Sequence, residues 1–225
     1  QMRIEQSIGY AKKARACIVQ CKKALDDAEK AGIKNIHIIP NGVDIEHFKP
    51  SNAEKKYTVG FAGNNEGDRA FLKGSEFVKG ACEKLGVSYV EVTKKNRLSY
   101  DEMPDFYNSI QIYAQPSNSE GCSNSVMEAM SCGVPCLICE GVGYHGEVCR
   151  ESDGVFFVKR TANSISKAIN RLLKDKDLYS DAVSNAREFA YEHTWPVIAQ
   201  KHKELLDSVF EGLDKIEIPV VEKSN

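Results

Sequence analysis

Short apolar runs alternate with longer amphipathic segments along most of this chain, and that alternation restricts its fold more than any other feature. The pattern predicts strands at 16–21, 35–40, 57–63, 87–92, 110–116, 135–140 and 154–158. It predicts helices at 22–32, about 75–85, a short one within 99–109, one opening near Ser125, and then 162–174, 177–192 and 195–212. Gly32, Gly86 and Gly133-Val134-Pro135 supply helix stops, and Pro196 fits the first turn of the last helix. Strands alternating with helices build right-handed βαβ units. The expected class is therefore α/β: a Rossmann-like parallel sheet with helices on both faces, ending in a long C-terminal helix. In such sheets ligands sit beyond the C-terminal ends of the strands, in the loops that enter helices.

With 225 residues, 42% of them hydrophobic and 28% charged, the chain can bury a substantial core. A net charge of −2 provides no basic field for nucleic acid, and the clusters "KKAR" and "TKKNR" read as solvated faces. The longest apolar runs are too short to cross a bilayer and no apolar leader opens the chain, so the expectation is a cytoplasmic protein without a transmembrane segment. The Gln1-Met2 start suggests an excised fragment. Eight cysteines without a secretory signal read as reduced thiols. Cys136 and Cys139 form a CxxC, but Leu137 and Ile138 make it a buried strand that points the two thiols to opposite faces. No further pair completes a zinc site, so no metal is expected.

Two loops have unusual content for the ends of strands. The sequence contains no GxGxxG after a strand, no P-loop, no GxSxG elbow and no HExxH. It does contain "PSNSEGCSNSVMEAMSCGVPC", residues 116–136, with Glu120 and Glu128 in one loop-to-helix junction. Ser125 to Glu128 fits a capping box, with Ser125 as N-cap, which accounts for Glu128 without any ligand. Glu120 lies before that cap, beside Gly121, where a backbone can approach a ligand closely. The run Gly121, Cys122, Ser123, Asn124, Ser125 would aim backbone N–H groups outward at a helix N-terminus, favourable for phosphate. Carboxylates beside such a site must bind something other than phosphate, most simply hydroxyls. In the other loop, Arg69 and Lys73 could neutralise a diphosphate. A pyrophosphate between two polyhydroxylated parts, as in a nucleotide sugar, satisfies all of these groups.

The segments "IPNGVDIEHF" (39–48), "FLKG" (71–74) and "PSNSEGCSNSVMEAMSCGVP" (116–135) resemble the retaining GT-B glycosyltransferases of family 4, the glycosyl transferases group 1. The resemblance runs from about Ala16 to Leu213 and includes the Thr194-Trp195 pair that leads into the last helix. It implies the C-terminal, donor-binding half of a GT-B fold. Residues 1–38 would be the end of a truncated N-terminal acceptor domain and linker, 39–194 the nucleotide-sugar-binding domain, and 195–225 a crossover helix and tail. It implies transfer of a sugar from a nucleoside-diphosphate sugar (UDP-, GDP- or ADP-linked) to an acceptor hydroxyl with retention, and no activity without the N-terminal domain. Glu120 would lie at the donor sugar as the catalytic residue and Glu128 would bind the ribose hydroxyls. The amides of Cys122 to Val126 would meet the diphosphate, with Lys73 and an arginine neutralising it.

This chain departs from the family pattern in two places. Asn64 follows Gly63 where the family carries its arginine soon after the glycine, and the loop is longer, which leaves Arg69 for that role. Cys122 stands where the family often has Phe. No cofactor or tightly bound metal is implied, and membrane contact would be peripheral, through the missing domain. The alternatives are a non-catalytic sugar-nucleotide-binding module or a GT-B epimerase or phosphorylase. The donor base would be read near Thr93 to Leu98. His145 and Glu147 in a Gly-rich loop could approach the donor, although a lone loop histidine is more often solvated. Cys149 lacks the partners a catalytic thiol needs, and His37 reads as a half-buried strand residue.

Overall fold

The computed structural model describes residues 2–63, 72–118, 120–139 and 151–211. Its first part holds helix α1 (Met2–Ala11), strand β1 (Cys17–Val19), helix α2 (Lys22–Lys30) and strand β2 (Ile36–Ile38). The two strands pair in parallel as a small sheet of their own, Cys17 opposite Ile36 and Val19 opposite Ile38. Helix α2 stops where Gly32 turns to φ +76°, a left-handed conformation that glycine adopts without strain.

The second part is a five-stranded parallel sheet among the described residues. Its strands are β3 (Tyr57–Ala62), β4 (Tyr89–Val92), β5 (Ile110–Gln115), β6 (Cys136–Ile138) and β7 (Val155–Phe157), in the spatial order β4-β3-β5-β6-β7. Between them run α3 (Ser75–Leu85), α4 (Met103–Asn108) and α5 (Asn124–Ser131). After β7 come α6 (Ala162–Lys174), α7 (Lys176–Glu192) and α8 (Trp195–Phe210). The α/β class and the C-terminal helix agree with the alternation in the sequence. The strands come out shorter than their apolar runs because only the central residues find ladder partners.

Strand alternation divides the core into two layers. Tyr113, Cys136 and Ile138 face one cluster with Met127, Met130 and Phe189. Ile112, Ala114 and Leu137 face the other, with Val78, Ile165 and Ile169. Cys136 and Cys139 fall in opposite layers, as the strand reading of the CxxC requires. The seven described cysteines are thiols, and no group of three or more His, Cys, Asp or Glu suited to a metal occurs among the described residues. No described helix is long and apolar enough to cross a membrane.

The chain leaves β3 in one direction to form β4, then returns across β3 to form β5. Crossovers on either side of that point diverge, and they open a crevice at the C-terminal ends of β3 and β5.

Candidate functional site

A cleft of about 570 Å3 occupies that crevice. Ala62 at the end of β3 and Gly63 just beyond it line the cleft, with Val92 at the end of β4, Thr93 just beyond it, and Gln115 at the end of β5. Lys73, Lys94 and Arg97 bring positive charge to its walls, Glu120 and Glu128 negative charge, and the N-terminus of α5 opens into it. The two loops singled out in the sequence thus meet at one cleft.

Backbone contacts hold them there. The N–H of Asn118 donates to the Leu72 carbonyl at 2.8 Å. Gly74 sits at φ +72°, and a Cβ there would lie 2.8 Å from the Pro116 carbonyl oxygen, so only glycine admits this approach. Arg160, just beyond β7, donates from Nε to the same carbonyl at 3.0 Å and stacks over Phe77. The result is an ion pair between Lys73 Nζ and Glu120 Oε1, with side chains 27% and 19% exposed. A cation and a carboxylate held together at a cleft can serve a charged ligand that carries hydroxyls beside its anionic part.

Glu128 departs from the sequence expectation. Helix α5 begins two residues earlier than a capping box at Ser125 requires: Ser123, not Ser125, is the N-cap, with no side-chain cap bond. Glu128 therefore sits in the second turn, too far along to reach back. Its Oε2 instead accepts from the hydroxyl of Tyr107 at 2.7 Å. Burial pushes the Glu128 carboxyl above its ordinary value of 4.5, while the Tyr107 bond and nearby His47 pull the other way. A capping box does form elsewhere, between Ser99 and Glu102.

The helix end itself is unusual. Val126 and Met127 donate their N–H groups to the Ser123 carbonyl at 3.2 and 3.3 Å, so Val126 spends its amide inside the helix. The N–H groups of Asn124 and Ser125 have no acceptor among the described residues. Asn41 braces the preceding loop from the other side. Its Nδ2 donates to Cys122 O at 3.1 Å and to Asn124 Oδ1 at 2.7 Å, and its N–H to Cys122 Sγ at 3.3 Å. Gln20 Nε2 donates in turn to Asn41 Oδ1, so the end of β1 reaches the site. Cys122 itself is buried, 7% exposed, and its sulfur takes part in the brace.

Tyr107, Gln115 and Asn41 were missed as site residues, since nothing local distinguishes a tyrosine or glutamine beside an apolar run. Residues 94–97 of "TKKNR" do project into solvent while Thr93 is buried, yet Lys94 and Arg97 also form a wall of the cleft. Asn96 folds that loop back by accepting from Thr93 N–H and Oγ1 at 2.8 and 2.7 Å. Arg69, His145, Glu147 and Cys149 lie outside the described residues.

Comparison with known proteins agrees with this architecture. The α-1,3-N-acetylgalactosaminyltransferase of Campylobacter jejuni that acts on N,N'-diacetylbacillosaminyl-diphospho-undecaprenol is 27% identical over 112 residues, 50% of this chain and 30% of that protein. An uncharacterized glycosyltransferase, MJ1607 of Methanocaldococcus jannaschii, is 25% identical over 127 residues, 56% of this chain and 32% of its own. The matches thus span about a third of the length of these relatives. Among solved structures, the fold is shared with sucrose-phosphate synthase from Thermosynechococcus elongatus. There the TM-score is 0.79 at 18% identity, over 93% of this chain and 62% of that one. It is also shared with Anabaena Alr3699/HepE in complex with UDP and glucose, with a TM-score of 0.74 at 17% identity over 92% and 67%. Residues 45–189, well over half of the chain, match the family described as glycosyl transferases group 1, and the chain belongs to that family.

Proposed function

We propose that this chain is the donor-binding part of a retaining, family 4 glycosyltransferase that moves a sugar from a nucleoside-diphosphate sugar to an acceptor hydroxyl. The observation that carries the reading is the cleft itself. It assembles Lys73, Glu120, Glu128 and an open helix end from separate segments at the switch point of a parallel sheet. Glu120 faces the donor sugar near its reacting carbon, and Glu128 accepts from the ribose hydroxyls. The amides of Asn124 and Ser125, within the run Gly121 to Val126, hold the diphosphate, with Lys73 and Arg69 neutralising it. Positive charge and helix-end amides stabilise the departing diphosphate, which leaves no role for a tightly bound metal. The neighbouring structure with UDP and glucose supports a nucleotide donor.

Residues 39–194 form the donor domain in this reading, 1–38 end an acceptor domain that precedes it, and 195–225 cross back. The separate sheet of β1 and β2 supports that division, as does α8, which buries Ile198 while Trp195, Leu206 and Phe210 stand half exposed. Transfer then requires the acceptor domain, with the protein working in the cytoplasm, where described thiols stay reduced. Calorimetric titration with UDP, GDP, ADP and their sugars tests the reading. Binding of one base series, weakened by Glu128→Ala, supports it. No binding to the folded protein sinks it.

A further inference from the structure

We infer that Gln115 is a positioning residue that keeps the N-terminus of α5 open to an anion, by drawing the Ser123 hydroxyl away from it. The inference rests on the donor-site reading and names a device within that site.

Ser123 has the extended backbone of an N-cap, φ −74° and ψ 114°. A serine so placed ordinarily accepts a hydrogen bond from the second or third amide of its helix. The other long helices after β7 follow that rule. Thr161 accepts from Ser164 N–H, Asp175 from Leu178 N–H, and Thr194 from Val197 N–H. Ser123 does not. Its Oγ donates to Gln115 Oε1 at 2.9 Å, and Ser125 Oγ donates to the same oxygen at 2.8 Å.

Gln115 is fit for this task by its place at the end of β5, where it is 1% exposed and held by the sheet. Its amide orientation follows from its neighbours. The nitrogen lies 3.4 Å from Glu120 Oε1, which also receives Lys73, so a flipped amide would set two acceptor oxygens against each other. With the nitrogen turned to Glu120, the oxygen must face the serines. One side chain thereby links Glu120 to both hydroxyls of the helix end. It leaves the Asn124 and Ser125 amides pointing at the cleft without an internal competitor.

The consequence is unusual enough to test. In Gln115→Leu the Ser123 hydroxyl loses its acceptor on β5 and keeps the Ser125 hydroxyl, 3.0 Å away on the helix end itself, so it turns toward the helix amides, where it competes with phosphate. Affinity for a diphosphate falls about fivefold, the worth of an N-cap bond. Adding Ser123→Ala removes the competitor, so the double variant binds more tightly than Gln115→Leu alone. A glutamine needed only for packing predicts the reverse, a double variant no better than the single one, and that result overturns the inference. The probes are UDP, GDP, ADP and inorganic pyrophosphate, titrated calorimetrically. Binding of pyrophosphate without any nucleotide refutes the donor reading, while the same variants still decide the role of Gln115. Binding of none overturns both. A ligand-free readout stands beside these: the side-chain amide NMR signals of Gln115 shift in Glu120→Gln. Unmoved signals exclude the contact that orients the amide.

Discussion

Tyr107 donates its hydroxyl to Glu128 Oε2 at 2.7 Å from a position with no exposure to solvent. The pair joins α4 to α5 at the cleft, so a carboxylate that lines the cleft is aimed by a residue on a different element. Burial holds the Tyr107 hydroxyl protonated far above the neutral range, which makes it a permanent donor. Its removal leaves a half-buried carboxylate with less support. In Tyr107→Phe the Glu128 carboxyl rises further, since the bond that lowers it is gone while burial remains.

The sign of the pH effect follows. A carboxyl raised on folding binds its proton more tightly in the native state, so stability falls as pH climbs from 4.5 through the raised value. Tyr107→Phe deepens that fall. The expected cost is about 1–2 kcal/mol at pH 7, shrinking below pH 4.5, where both states are protonated. Urea unfolding of both proteins across pH 4 to 8 measures it, and parallel curves would show that Tyr107 does not act through Glu128.

Glu128→Gln separates ribose recognition from phosphate recognition. Under the proposed function it lowers nucleoside-diphosphate affinity by roughly tenfold, the scale of a hydrogen bond to a charged acceptor. It also erases the preference for the ribose form over the 2'-deoxy form. Titration with both forms reads the difference, and a preference that survives the change places the ribose elsewhere.

Lys73→Met removes a cation that is paired to Glu120 at the cleft. Affinity for the diphosphate falls by about tenfold or more at low salt, and by less at high salt, because a charge–charge contact is screened. The monophosphate loses less. Equal losses for both nucleotides would move Lys73 away from the phosphates.

Gly74→Ala and Gly86→Ala make a controlled comparison. Both glycines have positive φ, +72° and +66°, but only at Gly74 would the added methyl meet a neighbour, the Pro116 carbonyl at 2.8 Å. Each substitution costs about 1 kcal/mol for its backbone conformation. Gly74→Ala costs roughly another 1–2 kcal/mol and weakens nucleotide binding as well, since it pries the Lys73 loop from the Glu120 loop. Thermal unfolding and titration of the two variants check this, and equal stability losses would show that the close approach yields easily.

The elements of this fold were legible because period and punctuation are local properties. The apolar spacing of 162–174 and the glycine after Leu85 mark their helices without help from the rest of the chain. Glu120 and Lys73 were legible too, as charged side chains in loops that a parallel sheet collects at one edge. The capping box at Ser125 was misread, because a hydroxyl two residues from the true N-cap matches the same short pattern.

What the sequence determined by itself was the alternation that makes a doubly covered parallel sheet, and with it the edge on which a ligand must sit. The tertiary structure decided what each polar side chain does there. Gln115, Tyr107 and Asn41 take partners as far as 10, 21 and 83 positions away. A hydrogen bond over such a separation depends on the register of strands and the docking of helices. No local pattern encodes it. The same holds for Glu128: the early start of α5 puts it beyond reach of the cap, and the buried Tyr107 hydroxyl, 2.7 Å away on another helix, is its partner at the cleft.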